Sequence, residues 1–240
     1  MKISVLTPSF NSGKYLKRAI KSVLIQNYKD FEHIIVDSAS TDDTLSIVKE
    51  YTHIKFLSEK DDGQSDAMNK AFRMSSGDVI VYLNADDEFL PEAFNTIELA
   101  FKNNENADIV VGNLIFKSGN KSSLRIPSIS YKKVLQYWLN LFPNNPVSYF
   151  YKRNVQLLIG DFPIDDHYSM DIWFLLKAYQ RFKLVKIDKT LGVFHSDGLN
   201  KTTTINLGQN LHNAIKKHLK NDNPLMFPYF YFKFITARFK

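Results

Sequence analysis

Cysteine is absent from the 240-residue chain. Disulfide bridges and thiolate metal sites are therefore excluded, and the composition suits a reducing compartment. The opening residues MKISVLTPSF do not resemble a secretory signal. No apolar run approaches the roughly 20 residues that a helix needs to cross a bilayer. These absences predict a soluble protein of the cytoplasm.

Glycine is scarce as well, with 9 residues in the chain. No G-x-G-x-x-G pattern follows the first predicted strand, where Phe10 stands in the sequence TPSFN, and no G-x-x-x-x-G-K-S/T loop occurs. A dinucleotide fingerprint and a P-loop are thereby excluded. If the chain binds a phosphate group, something other than glycine amides must neutralise its charge.

The residues that are present describe a folded and basic protein. Hydrophobic residues make up 44% of the chain, which is enough for one sizeable core, and the net charge is +6. A basic balance alone does not separate nucleic acid, anionic lipid and phosphorylated small molecules as partners. The order of the motifs along the chain therefore has to carry the functional argument.

Short apolar runs alternate with segments of helical periodicity in the first half. Strands are predicted at residues 2–7, 31–37, 54–58 and 78–83, the first of them ending at Pro8. Helices are predicted at 15–24, at 65–72 and from Pro91. A further helix is predicted to begin with a cap at Ser40 or Thr41, with Asp42 and Asp43 in its first turn. The alternation predicts an α/β fold with a mostly parallel, Rossmann-like sheet and helices on both faces.

The pattern changes after a strand predicted at residues 107–116. The polar stretch KSGNKSSLRIPS, residues 117–128, predicts a hairpin or loop, and the second half is expected to be more helical. We therefore divide the chain into an α/β half at 1–118, a second half of the same domain at 119–223 and a C-terminal tail at 224–240.

Acidic residues follow three of the four strands predicted in the first half. Asp37 ends the second strand, SEKDDG with Asp61 follows the third, and NADD with Asp86 and Asp87 follows the fourth. Ligands of open α/β sheets bind beyond the carboxyl ends of the strands, so these carboxylates are expected at one edge. Their convergence requires a compensating cation or hydrogen-bond donors. A Mg²⁺ or Mn²⁺ ion that bridges the NADD turn and a diphosphate meets that requirement.

Five sequence motifs occur together and in order: VLTPSFN, VDSASTDDT, SEKDDGQSDAMNKAF, GDVIVYLNADDEFLP and MDIWFLL. In this combination the chain resembles the inverting glycosyltransferases of family two, which have the GT-A fold and build bacterial surface polysaccharides. The resemblance extends to about residue 200, and five ordered motifs are far more specific than any one of them.

The resemblance implies a nucleotide-sugar donor, usually a UDP-sugar. The first strand end, with Thr7, Pro8 and Phe10, is expected to hold the nucleoside together with Asp37. Asp37 stands where such folds place an acid against ribose hydroxyls, and it could equally accept a hydrogen bond from a base N–H. Asp61 is implied nearby, and Asp66 is a further candidate for donor binding.

The D-x-D motif of the resembling family corresponds to Asn84, Ala85 and Asp86. Asp86 is therefore implied as the metal ligand, for Mn²⁺ or Mg²⁺. The chain departs from the motif at Asn84, whose amide can reach the ribose or a metal-bound water but brings no charge. We count Asn84 and Asp87 among the donor-binding candidates.

The second half is implied to supply the catalytic base. Direct displacement at the anomeric carbon needs a carboxylate that removes the proton of the acceptor hydroxyl. Asp171 occupies the family's acidic position before an apolar helix and is the candidate. VFHSDGLNKT resembles the family's C-terminal histidine segment, where His195 ligates the metal or contacts the diphosphate and Lys201 reaches a phosphate. The implied acceptor is a glycan or a lipid-linked molecule.

Simpler roles compete with each assignment. Carboxylates at Asp86, Asp87 and Asp171 could merely stabilise the beginnings of helices. Three neighbouring acids are rivals of Asp171 for the role of base: Asp161, Asp165 and Asp166. At the level of function, the alternatives are a nucleotidyltransferase and a catalytically silent nucleotide-sugar-binding protein or membrane-surface scaffold.

The C-terminal sequence FPYFYFKFITARFK interleaves aromatic and basic residues. Such a composition suits the headgroup zone of an anionic bilayer, where rings lie at the interface and cations pair with lipid. It predicts peripheral attachment to the inner face of the cell membrane. The alternatives are a segment that folds back on the core and a contact in a homodimer.

Overall fold

The computed structural model describes residues 1–143, 145–165, 169–197 and 207–238. The strands are β1 (Ile3–Ser9), β2 (Phe31–Asp37), β3 (Ile54–Ser58), β4 (Val79–Tyr82), β5 (Glu88–Phe89), β6 (Ile109–Ser118), β7 (Lys121–Arg125), β8 (Tyr149–Lys152) and β9 (Leu184–Ser196). The α-helices are α1 (Gly13–Leu24), α2 (Thr44–Lys49), α3 (Gln64–Met74), α4 (Ala93–Asn103), α5 (Tyr131–Val134), α6 (Arg153–Ile159), α7 (Met170–Arg181), α8 (Leu207–Asp222) and α9 (Phe227–Arg238).

Strands from both halves of the chain form one sheet. Over the ranges given above, its order is β3-β2-β1-β4-β8-β6-β9-β5, with β7 paired to β6. The first four strands of this order are parallel, and β6 pairs with β9 in parallel. Antiparallel β8 joins β4 to β6, and β5 lies antiparallel to β9. The predicted α/β class is confirmed, with a mixed, mostly parallel sheet.

Alternate side chains of the strands pack into two apolar layers, one on each face of the sheet, because successive residues of a strand point to opposite faces. Val5 of β1 packs in one cluster with Ala19 of α1 and Phe94 of α4. Leu6 packs on the other face with Met68 of α3 and Phe174 of α7. Helices therefore cover both faces of the sheet, as the strand–helix alternation predicts.

Three predicted boundaries are wrong, each for a local reason. Strand β1 continues through Pro8. Its pairing with β4 ends earlier, at the hydrogen bond from the Leu83 amide to the Leu6 carbonyl, so the N–H that Pro8 lacks is not required on that side. Helix α2 begins at Thr44 with Asp43 at the N-cap position, so Ser40 and Thr41 are not its caps and its first turn holds no acid. Likewise, α4 begins at Ala93, after Pro91.

The second half is less purely helical than expected. The predicted hairpin is present as β6 and β7, whose turn contains Gly119 with φ +54°. The same half also contributes β8 and β9 to the interior of the sheet. The pattern of apolar and polar residues does not predict strand β9, because its middle, KIDKT, is polar and only its end is apolar and buried.

A buried carboxylate joins β2 to its neighbours at the amino-terminal side of the sheet. Glu32 accepts hydrogen bonds from the Ser4 hydroxyl (2.7 Å), the Ser76 amide (2.6 Å) and the Lys55 ammonium (2.6 Å). Burial by itself raises the pKa of Glu32, but Lys55 and the other donors outweigh it and lower the pKa to about 2.

Glu32→Gln is expected to lower the free energy of unfolding at pH 7 by about 3 kcal/mol. Because the pKa is lower in the folded state, this stabilisation is complete above the unfolded value near pH 4.5 and is lost as the pH falls towards 2. Urea unfolding at pH 7 and pH 3 measures it. Glu50→Gln, at an exposed ion pair with Lys17, is the control and should change stability by less than about 1 kcal/mol. A Glu32→Gln effect that does not shrink with falling pH would contradict this account.

Candidate active site

The carboxyl ends of β1, β2 and β3 lie side by side. Ser9 pairs with Asp37 in the register of β1 and β2, and Asp37 pairs with Ser58 in the register of β2 and β3. Strand β4 is in register with β1 and leads directly into Asn84 and the acidic turn that follows. The strand ends singled out in the sequence therefore meet at one edge of the sheet.

Asp37 is a buried anchor of this edge. Its side chain is fully buried and accepts hydrogen bonds from the Ser40 amide (2.9 Å), the Ser58 hydroxyl (2.9 Å) and the Ser40 hydroxyl. These bonds fix the loop after β2 against the end of β3. The predicted contact between Asp37 and a nucleoside stays a prediction.

Asp61 lies at the same edge and has an oxygen available to a ligand. Its Oδ1 accepts hydrogen bonds from the Ser38 hydroxyl (2.7 Å) and the Gly63 amide (2.9 Å). Its Oδ2 is buried and has no hydrogen-bond partner, and the same is true of the hydroxyls of Ser9 and Ser65. Buried polar atoms are almost always satisfied in folded proteins, so these atoms are suited to hydrogen bonding with a ligand.

The end of β1 combines one exposed aromatic residue, Phe10, with buried residues that precede it. Thr7 and Pro8 are buried, and the Thr7 hydroxyl lies 3.0 Å from His33 Nε2. Phe10 is 62% exposed. The following loop is held to the β2 loop by the bond from the Asn11 amide to the Ser40 hydroxyl (2.7 Å). Of the three predicted residues in this segment, Phe10 alone offers a surface, whereas Thr7 and Pro8 support it.

Asp66 is engaged within its own helix. It lies in the first turn of α3, accepts a bond from the Asp62 amide (3.3 Å) and pairs with Lys70 at 3.1 Å. Burial raises its pKa, but the bond to Lys70 outweighs this and the pKa is lowered. These contacts account for Asp66 without a ligand, and its role in donor binding stays a prediction.

Asp87 is the centre of the acidic turn. It is fully buried and accepts hydrogen bonds from Asn84 Nδ2 (3.0 Å), Asn145 Nδ2 (2.7 Å) and the His195 amide (2.9 Å). Burial, followed by the negative charge of Asp86, raises the pKa of Asp87. Asp87 thus joins the end of β4, the segment before β8 and the end of β9, and it leaves the partly exposed Asp86 as the carboxylate nearer to solvent.

His195, near the end of β9, is bonded to this turn. Its Nε2 lies 2.8 Å from Glu88 Oε1 while its amide is bonded to Asp87. Strand β9 can approach so closely because it has a glycine opposite β5: a Cβ at Gly192 would lie 2.7 Å from the Glu88 carbonyl oxygen. The geometry brings Asp87 and His195 together, and Asp86 precedes Asp87 in the chain. The roles of Asp86 and His195 at a metal stay predictions. Lys201 lies outside the described residues.

Gly192→Ala is expected to force β9 away from the Glu88 carbonyl and to loosen the bond between His195 and Asp87. Overpacking of this kind costs about 1–3 kcal/mol of folding stability. Urea unfolding measures the loss, and Gly160→Ala, at an open position with φ +97°, controls for a glycine lost to backbone strain alone. If Gly192→Ala unfolds at the same urea concentration as the parent, the close approach is not a constraint.

Asp171 lies on α7, a helix of the other apolar layer. It lies in the first turn of α7, is partly exposed, and its Oδ1 accepts a hydrogen bond from the Ile172 amide (2.8 Å). Burial raises the pKa of Tyr149 well above its ordinary value, and the negative charge of Asp171 adds to this effect. Tyr149 directly follows the turn Pro146–Ser148, whose N-cap residue Asn145 holds Asp87. Tyr149, which senses the charge of Asp171, and Asn145, which bonds Asp87, thus lie four residues apart in the chain.

A model of the glycosyl transferase family 2 matches residues 4–189, most of the chain and the ends of β1, β2, β3 and β4. The chain belongs to glycosyl transferase family 2. The predicted membership is confirmed, and the chain spans less than half the length of the curated family members it matches.

Two of these relatives have named activities. The chain is 39% identical, over 50% of its length and 41% of the relative's, to the Campylobacter jejuni GalNAc(5)-diNAcBac-PP-undecaprenol beta-1,3-glucosyltransferase. It is 35% identical, over 46% of its length and 36% of the relative's, to the poly(ribitol-phosphate) beta-N-acetylglucosaminyltransferase TarP of Staphylococcus aureus.

Solved structures share the fold. S. aureus TarS residues 1–349, in complex with UDP-GlcNAc, aligns with a TM-score of 0.73 at 20% identity, covering 92% of this chain and 67% of TarS 1–349. Glucosyl-3-phosphoglycerate synthase of Mycobacterium tuberculosis, in complex with Mn²⁺, UDP and glucosyl-3-phosphoglycerate, aligns at 0.62 and 19% identity, covering 91% and 79%. The predicted GT-A fold is confirmed.

The donor set of the acidic turn fits a hard divalent cation. Asp86 supplies a carboxylate oxygen, and relief of the repulsion between Asp86 and Asp87 would favour a cation there. His195 Nε2 is bonded to Glu88 and would have to exchange that partner for the cation. In the described part of the chain, no three or more His, Asp or Glu residues form a ready-made metal cage. Mg²⁺ and Mn²⁺ commonly need only one or two protein carboxylates, the rest being water and phosphate oxygens.

The structure also contains site residues that the sequence analysis missed. Asn145, Ser9, Ser38 and Ser65 all contact or flank predicted residues at the edge. The three serines follow strands or begin a helix, and attention to every polar residue at a strand end would have found two of them. Asn145 had no such signal, because its partner Asp87 lies 58 positions away in the sequence.

Proposed function

We propose that the chain is a metal-dependent, inverting glycosyltransferase that moves a sugar from a UDP-sugar to a hydroxyl of a glycan or lipid-linked acceptor in bacterial surface polysaccharide synthesis. The observation that carries the proposal is the meeting, at one sheet edge, of an acidic turn and buried polar atoms without partners. Because the chain belongs to glycosyl transferase family 2, we assign glycosyl transfer to this edge of the sheet. The boundaries at 118 and 223 separate donor-binding, acceptor-binding and tail segments in this proposal.

The nucleoside would lie against the ends of β1, β2 and β3. Asp61 Oδ2 and the hydroxyls of Ser9 and Ser65 lack partners there, and they supply an acceptor and two donor-acceptor groups for a polar base and ribose. The exposed ring of Phe10 offers a surface for stacking. Two aligned structures, of TarS and of the M. tuberculosis synthase, contain a uridine nucleotide, which supports a UDP-sugar as the donor.

Asp86 would hold the cation, with His195 as the second protein ligand or as a contact to the diphosphate. When bound, the cation supplies Lewis acidity that offsets the charge developing on the departing diphosphate. Asn84 and Asn145 hold Asp87, and Asp87 in turn holds the amide of His195. This network positions the turn, and Lys201 is proposed to reach a phosphate.

Asp171 would act as the base. Its carboxylate takes the proton of the acceptor hydroxyl as that oxygen forms a bond to the anomeric carbon. The bond between the anomeric carbon and the diphosphate oxygen breaks, and its electron pair leaves with UDP. Attack from the face opposite the leaving group inverts the configuration at the anomeric carbon.

The C-terminal tail indicates the surface at which the protein binds its acceptor. Helix α9 packs on the protein through Phe230, which is fully buried beside Trp138 and His212. Phe232 and Ile235 of the same helix are largely exposed, and Lys233 and Arg238 flank them. Of the helices within the described ranges, none is long and apolar enough to cross a membrane. We infer that the exposed side of α9 docks on an anionic bilayer surface, the place where a lipid-linked acceptor is found.

Release of UDP tests the function. Purified protein with Mn²⁺ is incubated with a panel of UDP-sugars, with and without a polyprenyl-diphosphate acceptor, and free UDP is measured. Acceptor-dependent release supports transfer. Saturable UDP binding without release from any donor would support a silent nucleotide-sugar-binding protein instead, and the absence of both would overturn the proposal.

A further inference from the structure

An open groove runs along the exposed side of α1 next to β5. Its volume is about 380 Å³, and it is lined by Lys17, Arg18, Lys21, Ser22, Ile25 and Glu88. The opposite side of α1 packs through Ala19 and Val23 in the layer that also contains α4. Asp171 begins α7, whose apolar residues pack in the layer on the other face of the sheet. The groove is therefore separate from the position proposed for the acceptor hydroxyl.

The groove carries positive charge that the protein only partly balances. Lys17 pairs with Glu50 at 2.8 Å, and the Glu88 carboxylate lies 2.8 Å from His195 Nε2. Arg18 donates one N–H to the carbonyl of Asp86, and its Nε is buried without a hydrogen-bond acceptor. Lys21 is exposed and has no ion pair with any described carboxylate. An anion that entered the groove would supply the missing acceptor and the missing charge.

We propose that this groove is a second anion site, for a phosphate group, adjoining the acidic turn through Arg18 and Glu88. A guanidinium with free N–H groups and an ammonium group one helical turn away match the oxygens of a phosphate. Ile25, 56% exposed, adds an apolar surface at the end of the groove. The phosphate could belong to a free ion or to the headgroup of a phospholipid whose chains pass over Ile25.

The matched variants are Lys21→Glu and Lys49→Glu. Both residues are exposed and lie in the last turn of a helix, α1 and α2 respectively, and only Lys21 lines the groove. Because the two substitutions change the net charge equally, a difference between them reports on the groove and not on overall electrostatics. Neither residue belongs to the proposed donor or acceptor machinery, so failure of the transferase proposal would not affect the comparison.

The first arm uses inorganic pyrophosphate in the presence of EDTA, followed by ¹⁵N chemical shifts of the backbone amides. We expect saturable shifts at Lys17, Lys21 and Ser22, with affinity lowered about tenfold in Lys21→Glu and unchanged in Lys49→Glu. The second arm uses phosphatidylcholine vesicles with and without phosphatidylglycerol, and measures cosedimentation. Because α9 is proposed to bind the same vesicles in every variant, weaker but not abolished phosphatidylglycerol-dependent binding in Lys21→Glu alone would assign the site to a lipid headgroup.

Either arm supports the proposal if Lys21→Glu weakens binding and Lys49→Glu does not. A pyrophosphate effect without a vesicle effect assigns the site to a free phosphate. If Lys21→Glu and Lys49→Glu behave alike in both arms, the groove does not bind phosphate and the proposal is overturned.

Discussion

Asp171→Asn is expected to lower the rate of sugar transfer by about 10²–10⁴-fold while leaving the affinity for UDP and Mn²⁺ unchanged. The amide preserves the shape of the side chain and its position in the first turn of α7 but cannot accept the proton of the acceptor hydroxyl. Single-turnover transfer kinetics and calorimetric titration of UDP measure the two quantities. The limb of the pH–rate profile that reports the base should disappear in the variant.

Two nearby acids provide the controls for this result. Asp161 pairs with Arg73 at the surface at 2.7 Å, and Asp165 is exposed. Asp161→Asn and Asp165→Asn should transfer sugar at nearly the parental rate, because a solvated carboxylate or a surface ion pair contributes little. Parental turnover by Asp171→Asn, or its loss in either control, would assign the base to a different residue.

The parts of the fold that follow from the sequence are those in which one local pattern suffices. The runs FEHIIVD and IKFLS are strands with the predicted bounds. The apolar residues of FEHIIVD bury it inside the sheet, whereas IKFLS is recognisable from its alternation although it is a partly exposed edge strand. The acidic turn was predictable for a similar reason, since Asp86 and Asp87 follow β4 directly and parallel strands end at a common edge.

What the sequence does not reveal depends on contacts between distant segments. Strand β8 enters the sheet between β4 and β6, and no periodicity in YFYK indicates that position. The burial of Asp37 likewise depends on Ser58, a residue 21 positions away on the neighbouring strand. The sequence therefore does not show that Asp37 also anchors the loop after β2, or that the adjacent Ser38 bonds Asp61.

Asp86→Ala is expected to remove the metal-dependent part of UDP binding. With EDTA, parent and variant should show the same small rise in melting temperature on addition of UDP. With Mn²⁺ and UDP at about 100 times its Kd, the parent should gain about 2.7 kcal/mol, a rise of roughly 5–10 °C, and the variant should not. The reason is that Asp86 is the more exposed carboxylate of the turn, whereas Asp87 is already held by three donors.

Asp62→Ala separates the loss of a metal ligand from the loss of any negative charge near the edge. Asp62 is exposed and follows Asp61 in the loop after β3, and its side chain makes no contact with the acidic turn. Its variant should keep the full Mn²⁺-dependent rise in melting temperature, because long-range attraction between exposed charges is largely screened at physiological salt. Equal Mn²⁺-dependent rises in Asp86→Ala and in the parent would place the cation on other ligands. An equal loss in Asp62→Ala and Asp86→Ala would make the effect one of general charge, since only a direct ligand can distinguish two carboxylates on the same edge.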